Sequence, residues 1–324
     1  MGSHSRNLAL VTGATGFVGR RLCTALLERG YRVCAAVRSA ESAQRLPADF
    51  EPCLIGEIGP ATNWEAALGA DVDVVFHLAA RVHQLRDRAA DPAAEFQRVN
   101  TAGSACLAEA AVRHGVRRFV YVSSVHAMCT LADDVLTEQS ACAPSTAYGR
   151  SKLAAERVLQ EVTGRTATEL VVVRPPPVYG PGHLGNLSKL LKLAERGWPL
   201  PLGGIDNRRS LVFVDNLVDA LIAVAEHSAA AGETFLVSDG DSVSLPELVS
   251  SAARAGGRSP RLLPAPTSLM KTIGRLTGKS DAVARLLGSL AIDDGKLRRA
   301  LAWRPPVTLS EGLQSTMRWV RDAA

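Results

Sequence analysis

The stretch LALVTGATGFVG, residues 8–19, decides the fold. A short run of apolar, strand-forming residues leads into three glycines, Gly13, Gly16 and Gly19, and an amphipathic helical pattern begins at Phe17. Glycines with this spacing allow a tight turn and let a pyrophosphate approach the backbone N–H groups at a helix N-terminus. The stretch predicts a dinucleotide site at the first strand–helix junction, and a purely structural glycine-rich turn is the alternative.

Short strand-like runs alternate with helical patterns through the first half of the chain. This alternation predicts an α/β fold, a Rossmann-type doubly wound parallel sheet. Three consecutive prolines follow Arg174 and fix an extended chain, and the pattern beyond them is less regular. We expect a dinucleotide-binding domain over 5–174, to which 210–237 returns, and a smaller, discontinuous substrate-binding domain over 175–209 and 238–324. The predicted strands are 8–11, 32–37, 53–55, 72–79, 118–123 and 169–174.

The composition is that of an ordinary globular protein. The 324 residues are 47% hydrophobic and 21% charged, and the net charge of +5 is compatible with an anionic ligand such as a nucleotide diphosphate. No apolar run reaches the ~18 residues that span a bilayer, and no basic cluster with interleaved aromatics indicates nucleic-acid binding. Six cysteines without CxxC or metal-ligand spacing, and an N-terminus without a signal-peptide core, predict free thiols, no metal and a cytoplasmic location.

A tyrosine and a lysine stand one helical turn apart in STAYGRSKLAAE, residues 145–156. On a helix Tyr148 and Lys152 share one face, so the ammonium should favour the phenolate and lower the pKa of the tyrosine. A phenol beside an ammonium can relay the proton when a hydride is transferred at a carbinol carbon. The alternative is a solvated surface pair.

Several motifs together resemble the extended short-chain dehydrogenase/reductase family of nucleotide-sugar epimerases, dehydratases and reductases. The resemblance covers essentially the whole chain and implies an NAD(P)-dependent enzyme acting on a UDP-sugar. The motifs are the glycine pattern, HLAA (77–80), RVN (98–100), VSS (122–124), Tyr148–Lys152, RPPPVYGPG (174–182), NRRSLVFVDNLVDA (207–220) and ALAWRPPVTLSEGL (300–313).

The resemblance implies that Tyr148 is the catalytic acid–base, that Lys152 is its partner and binds the nicotinamide ribose, and that Ser124 hydrogen-bonds the reacting oxygen. Ser123 competes for the serine role. Ser124 is preferred because the family serine stands four residues before an aromatic position that is Met128 here.

The predicted cofactor contacts follow the glycine loop, the ends of the strands and the catalytic helix. Arg38 ends the second strand where an acidic residue would bind the ribose 2′-OH of NAD, and an arginine there accommodates the 2′-phosphate of NADP. The cofactor is therefore NAD(P), with NADP favoured and NAD possible. The residues are Gly13, Thr15, Gly16, Phe17, Val18, Arg38, Glu57, Ile58, Leu78, Ala79, Ala80, Asn100, Val122, Tyr148, Lys152, Pro175 and Val178.

Substrate contacts are expected from Ser124, Tyr148, Asn186, Arg209 and Arg285. The resemblance makes Arg209 the partner of the sugar-nucleotide diphosphate, a role that suits a guanidinium and that Arg208 could fill instead. Of the histidines, His77 is expected to be structural, and His83 and His126 to be surface or internally satisfied residues.

Two departures from the family pattern, AMC at 127–129 and Pro177, lie where relatives handle the sugar. They weaken the likeness to UDP-galactose 4-epimerases, and RPPPVYGPG with LPLGGIDNRRSLV (200–212) resembles instead the bacterial subgroup that reduces UDP-4-keto-6-deoxy-N-acetylhexosamines. The resemblance implies a 4-ketoreductase of a UDP-4-keto-6-deoxy-hexosamine in surface-polysaccharide precursor synthesis. The closest alternative is a UDP-hexose (glucose or N-acetylglucosamine) 4-epimerase with tightly bound NAD, and a non-catalytic dinucleotide-binding scaffold is more remote. A 4,6-dehydratase would need an acid–base pair just after the serine motif, which VHAMC lacks. A homodimer through the helices at 101–113 and 148–162 is expected.

Overall fold

Seven parallel strands form the central sheet of the computed structural model, which describes residues 8–69, 71–82, 91–183 and 186–322. Their order is β3-β2-β1-β4-β5-β6-β9, so the chain reverses its direction of travel across the sheet between β1 and β4. In such sheets ligands bind at the carboxyl ends of the strands beside this reversal. The strands are β1 (Leu8–Thr12), β2 (Arg32–Val37), β3 (Glu51–Leu54), β4 (Val72–His77), β5 (Arg118–Val122), β6 (Glu169–Arg174), β7 (Val178–Tyr179), β8 (Val212–Phe213) and β9 (Thr234–Leu236). The predicted fold class is confirmed.

Helices cover both faces of the sheet, because alternate strand residues point to opposite sides. On one face Val11 packs in a core with Leu22 and Leu221, and on the other Leu10 packs with Leu159. The short β7 and β8 pair with each other outside the main sheet. The helices are α1 (Phe17–Glu28), α2 (Ala40–Ala43), α3 (Pro92–Phe96), α4 (Gly103–Arg113), α5 (Ala147–Thr163), α6 (Asn186–Glu195), α7 (Val214–Glu226), α8 (Leu245–Ala255), α9 (Thr267–Leu276), α10 (Ser280–Leu287), α11 (Gly295–Leu301) and α12 (Leu309–Asp322).

Residues 210–237 are tied closely to the sheet. β9 pairs with β6, and α7 packs against α1 in the first core. The buried Arg118 of β5 donates to the carbonyl oxygens of Val224 and His227 at the end of α7 and makes an ion pair with Glu169. These bonds satisfy carbonyl groups that a helix C-terminus leaves free.

A third core lies beyond β6, between α6, α8 and α12. Leu191, Leu248 and Met317, one from each helix, are buried there. The boundaries of the substrate-binding domain stay a prediction. Within the described part of the chain no helix combines the length and apolar character needed to cross a membrane.

Cys34 and Cys53 form a disulfide, with their Cα atoms 6.2 Å apart. Cys34 lies opposite Glu51 across the β2–β3 ladder, and Cys53 lies opposite Ala36. The two cysteines are therefore diagonal neighbours on one face of the sheet. The expectation of free thiols is wrong for this pair, because only the register of the sheet brings together two cysteines that are 19 positions apart.

Candidate active site

The glycine loop between β1 and α1 is shaped by close backbone approaches. Gly13 has φ of +71°, and a Cβ there would lie 2.9 Å from the backbone N of Ala79. A Cβ on Gly19 would lie 2.1 Å from the carbonyl oxygen of Gly13. Gly16 is the N-cap of α1, so the N–H groups of Phe17 and Val18 begin the helix without intrahelical acceptors. This cradle, which side chains would fill, fits the pyrophosphate of a dinucleotide.

Ser124 begins a short turn at the carboxyl end of β5. Its Oγ accepts a hydrogen bond from the backbone N of His126 at 3.1 Å, and the N–H of Val125 donates to the carbonyl oxygen of Pro175 at 2.9 Å. The predicted cofactor residue Pro175 thus holds the serine turn against the end of β6. The Ser124 side chain acts on the Tyr148 phenol and opposes the rise of its pKa, whereas Ser123 is buried and donates to Glu156. The geometry favours Ser124 over Ser123 as the serine beside the tyrosine.

Tyr148 and Lys152 lie on one face of α5, as their spacing predicts. The Nζ atom of Lys152 is buried, donates to the carbonyl oxygen of Val122 at 2.7 Å and lies 4.4 Å from the centre of the Tyr121 ring. Thr146 caps the N-terminus of α5, and its Oγ1 accepts from the N–H of Gly149. The helix therefore delivers a phenol and an amine to the ends of β4, β5 and β6.

Burial governs the protonation of both groups. It raises the pKa of Tyr148, with the hydrogen bond to Ser124 acting in the opposite direction, and it lowers the pKa of Lys152 to about 7 against the charge of Glu156. The expectation that Lys152 lowers the pKa of Tyr148 is therefore wrong for this structure. The cost of burying a phenolate dominates, and the ammonium is directed at a carbonyl oxygen.

Glu156 extends the functional face of α5 by another turn. Arg174 donates to both of its carboxylate oxygens, at 3.0 and 2.5 Å, and all three members of the Ser123–Glu156–Arg174 network are buried. The network joins α5 to the ends of β5 and β6 beneath the reactive pair. Sequence reasoning missed it, although the Tyr148–Lys152–Glu156 spacing of four carries a signal.

A second buried network holds the ends of β1 and β4. The His77 ring bonds Thr12 through Nδ1 at 2.7 Å and Ser104 through Nε2 at 2.8 Å. Because the Ser104 hydroxyl donates to the carbonyl oxygen of Asn100, it accepts from His77, which places the imidazole proton on Nε2. Burial and then the charge of Lys152 lower the pKa of His77 to about 3. Neutral His77 has the structural position expected of it.

The side chain of Asn100 is used within the protein. Its Oδ1 accepts from the N–H of Arg81, and its Nδ2 donates to the carbonyl oxygen of Arg81 and to Ser151. Asn100 is buried in a π-helical turn, residues 97–102, between α3 and α4. It fastens the segment after β4 to α5, and its contact with a cofactor stays a prediction.

The remaining predicted cofactor residues lie in the glycine loop or beside strand ends. Arg38 is exposed directly after β2, and Glu57 and the partly buried Ile58 follow β3, with a carboxylate oxygen of Glu57 lying 3.8 Å from Arg98. The others are partly exposed at strand ends or in the glycine loop: Thr15, Leu78, Ala79, Ala80, Val122 and Val178. Their contacts with a cofactor stay predictions.

Arg209 and Arg285 are neighbours in the fold, and the region between them and the Tyr148 side chain is called the cleft below. Arg209 is half-buried, and its Nη1 donates to the carbonyl oxygen of Arg285 at 2.5 Å. Burial lowers the pKa of Arg209, and among the described residues neither guanidinium forms an ion pair. Arg208 is exposed. Two neighbouring cations without a carboxylate partner suit a diphosphate. Asn186 begins α6, but its side chain lies outside the described part of the chain.

His126 lies between the reactive tyrosine and the two arginines. Its ring is 6.2 Å from that of Tyr148, edge to face, and its pKa is lowered by burial and then by the charges of Arg285 and Arg209. Sequence reasoning did not assign it to the site, because only the tertiary fold brings these residues together. His83 lies outside the described residues.

Comparisons with known proteins identify the family. The model of the NAD dependent epimerase/dehydratase family matches residues 9–238. A protein of Vibrio cholerae named UDP-glucose 4-epimerase is 40% identical over 95% of this chain and 93% of its own length. A ceramide reductase of Caulobacter vibrioides is 30% identical over 97% of this chain and 92% of its own. The solved structure of MoeE5 in complex with UDP-glucuronic acid and NAD has 28% identity, a TM-score of 0.77 and coverage of 98% and 99% of the two chains.

Proposed function

The chain belongs to the NAD-dependent epimerase/dehydratase family of enzymes, and we propose that it is a UDP-hexose 4-epimerase that retains NAD. One observation carries the proposal: the ring of His126 lies 6.2 Å from that of Tyr148, and the charges of Arg285 and Arg209 lower the pKa of the same histidine, which brings the two arginines near the tyrosine. A sugar whose diphosphate lies on the arginines would thus reach the tyrosine with its far end. The 40% identical relative supports the epimerase before the ketoreductase favoured from the sequence.

The reaction requires oxidation and reduction at C4 of one sugar. Bound NAD, held by the glycine loop and Lys152, supplies the hydride acceptor and donor. Tyr148 in its phenolate form takes the proton of the C4 hydroxyl when that carbon is oxidised, becomes the phenol, and returns the proton to the same oxygen when the opposite face is reduced. Ser124 donates a hydrogen bond to this oxygen. The two arginines hold the diphosphate while the 4-keto sugar rotates to present its opposite face. This attachment keeps the 4-keto sugar from leaving.

A direct assay tests this proposal. The purified protein is incubated with UDP-glucose or UDP-N-acetylglucosamine without added cofactor, and the C4 epimers are separated by chromatography. We expect interconversion by the parent and none by Tyr148→Phe. No interconversion of either sugar, together with oxidation of NADPH by a UDP-4-keto-6-deoxy sugar, would reject the epimerase.

The second candidate is the 4-ketoreductase of a UDP-4-keto-6-deoxy-hexosamine. Arg38, exposed at the end of β2 where NAD-specific folds place a carboxylate, favours NADPH, which a net reductase consumes. The raised pKa of Tyr148 keeps the phenol protonated, the form that donates to a carbonyl oxygen. If this candidate is correct, Arg38→Asp should shift the ratio of kcat/KM values from NADPH toward NADH. Arg32→Asp, at the opposite end of the same strand, should leave the ratio unchanged.

A homodimer through α4 and α5 and a cytoplasmic location stay predictions. The second rested partly on cysteine usage, and the Cys34–Cys53 disulfide removes some of that support. Analytical ultracentrifugation measures the first directly.

A further inference from the structure

α9 exposes apolar side chains to solvent. Leu269, Ile273 and Leu276 are 53%, 51% and 83% exposed, and their spacing of four and three residues places them on one side of the helix. Leu263, in the segment before α9, is 52% exposed. None of these four residues belongs to the candidate active site described above. An apolar side of a surface helix that no described residue covers needs a partner.

The segment that contains α9 accounts for the net charge of the protein. Residues 255–280 contain five basic side chains and no acidic one, while the chain as a whole has 37 basic and 32 acidic residues. The rest of the chain is therefore neutral in formal charge. All five cations are exposed: Arg258, Arg261, Lys271, Arg275 and Lys279.

α9 is held on the protein by an adjoining side of the helix. A Cβ on Gly274 would lie 2.8 Å from Val283, so this glycine lets α9 approach α10 closely. Met270 packs against the third core. The inner side is thus anchored, and the outer leucine and isoleucine side chains are presented by a fixed helix.

We propose that this α9 surface, defined as Leu263, Leu269, Ile273 and Leu276 with the five cations of 255–280, docks on an anionic phospholipid bilayer. Helices that lie in the membrane interface combine a buried apolar side with lysine and arginine on the rest of their surface. Juxtaposed basic residues are attracted to anionic lipid within a Debye length, about 8 Å at physiological ionic strength. The apolar side chains supply insertion, and the cations supply selectivity for acidic lipid.

Charge also argues against a second copy of this chain as the occupant. A two-fold interface brings the same patch of each protomer together, so five cations would face five cations. An anionic surface neutralises them instead. α10, which packs against α9, carries Arg285, so a docked bilayer would lie on the substrate side of the protein.

Cosedimentation of the full-length protein with vesicles tests the proposal. One set of vesicles is phosphatidylcholine, and the other contains equal parts of phosphatidylcholine and phosphatidylglycerol. We expect binding at least ~10-fold stronger to the acidic vesicles, weakened by added salt. The double variants Lys271→Glu/Arg275→Glu and Ile273→Ser/Leu276→Ser should each bind at least ~10-fold more weakly than the parent.

Two control variants test whether changing any exposed leucine or arginine weakens vesicle binding. Leu54→Ser changes a leucine that is 59% exposed on β3, and Arg45→Glu changes an exposed arginine after α2, and both should bind like the parent. Thermal unfolding shows that each variant folds. Equal binding of the parent to both vesicles, no binding to either, or parent-like binding by either double variant overturns the proposal. A dimer that Ile273→Ser/Leu276→Ser dissociates would assign the surface to a second copy and also overturn it.

Discussion

The two sides of the cleft are assembled over very different distances along the chain. On the cofactor side, one turn after β1 supplies the glycine cradle, and one face of α5 supplies Tyr148, Lys152 and Glu156. On the substrate side, the backbone of Arg209 pairs with Val243 and its side chain bonds a residue 76 positions further on. The functional residues of the cofactor side therefore lie in local sequence motifs, whereas those of the substrate side come together only when the chain folds.

This difference predicts which property a single substitution on each side should change. A change on the α5 face should affect the reaction or the stability of the sheet edge, because Lys152 and Glu156 are buried and hydrogen-bonded there. A change at Arg209 should affect ligand affinity while leaving the reacting groups in place. The predictions run from the largest expected effect to the smallest.

Tyr148→Phe should reduce turnover by about 10²- to 10⁴-fold, the range for removal of a positioned acid–base group. The ring is retained, so cofactor binding should persist. Steady-state kinetics and cofactor titration give the two quantities. Near-normal turnover would remove Tyr148 from the mechanism and with it the catalytic role of the α5 face.

Glu156→Ala should lower the free energy of unfolding by about 3–5 kcal/mol, because it leaves Arg174 buried without its carboxylate. The exposed Glu161 on the same helix is the matched control, and Glu161→Ala should change stability by less than about 0.5 kcal/mol. Denaturant titration measures both. Equal stability of the two variants would show that the network beneath Lys152 contributes nothing to the fold.

Arg209→Ala should weaken UDP binding by about 1–3 kcal/mol, the cost of losing a charge-assisted hydrogen bond from a desolvated partner. Arg208→Ala, one position earlier and exposed, should leave the affinity unchanged. Calorimetry compares the three proteins. The reverse pattern would move the diphosphate contact to Arg208, which the sequence left open.

Much of the cofactor side could be predicted because its signals are local. The GxxGxxG spacing indicated the loop that Gly13 and Gly19 form, and the six predicted strands match β1 to β6 within a few residues. The family was identified correctly from motifs of three to fourteen residues. The spacing of Tyr148 and Lys152 placed both on one helix face.

What sequence reasoning missed depends on burial and on register. Spacing alone could not show that burial raises the pKa of Tyr148. Neither the disulfide of Cys34 with Cys53 nor the place of His126 beside Arg209 and Arg285 follows from any local pattern. Each of these features is set by segments that meet only in the folded chain.

The central claim is that both sides of the cleft act on one UDP-hexose. A deuterium label at C4 gives the most direct test of it. The purified protein receives UDP-glucose carrying deuterium at C4, together with an excess of unlabelled NADPH, and the product is examined by mass spectrometry and NMR. The epimerase predicts UDP-galactose that keeps the deuterium at C4, with no net oxidation of NADPH, because the hydride leaves and returns within one complex. Absence of any epimer, or an epimer that has lost the deuterium, would contradict it.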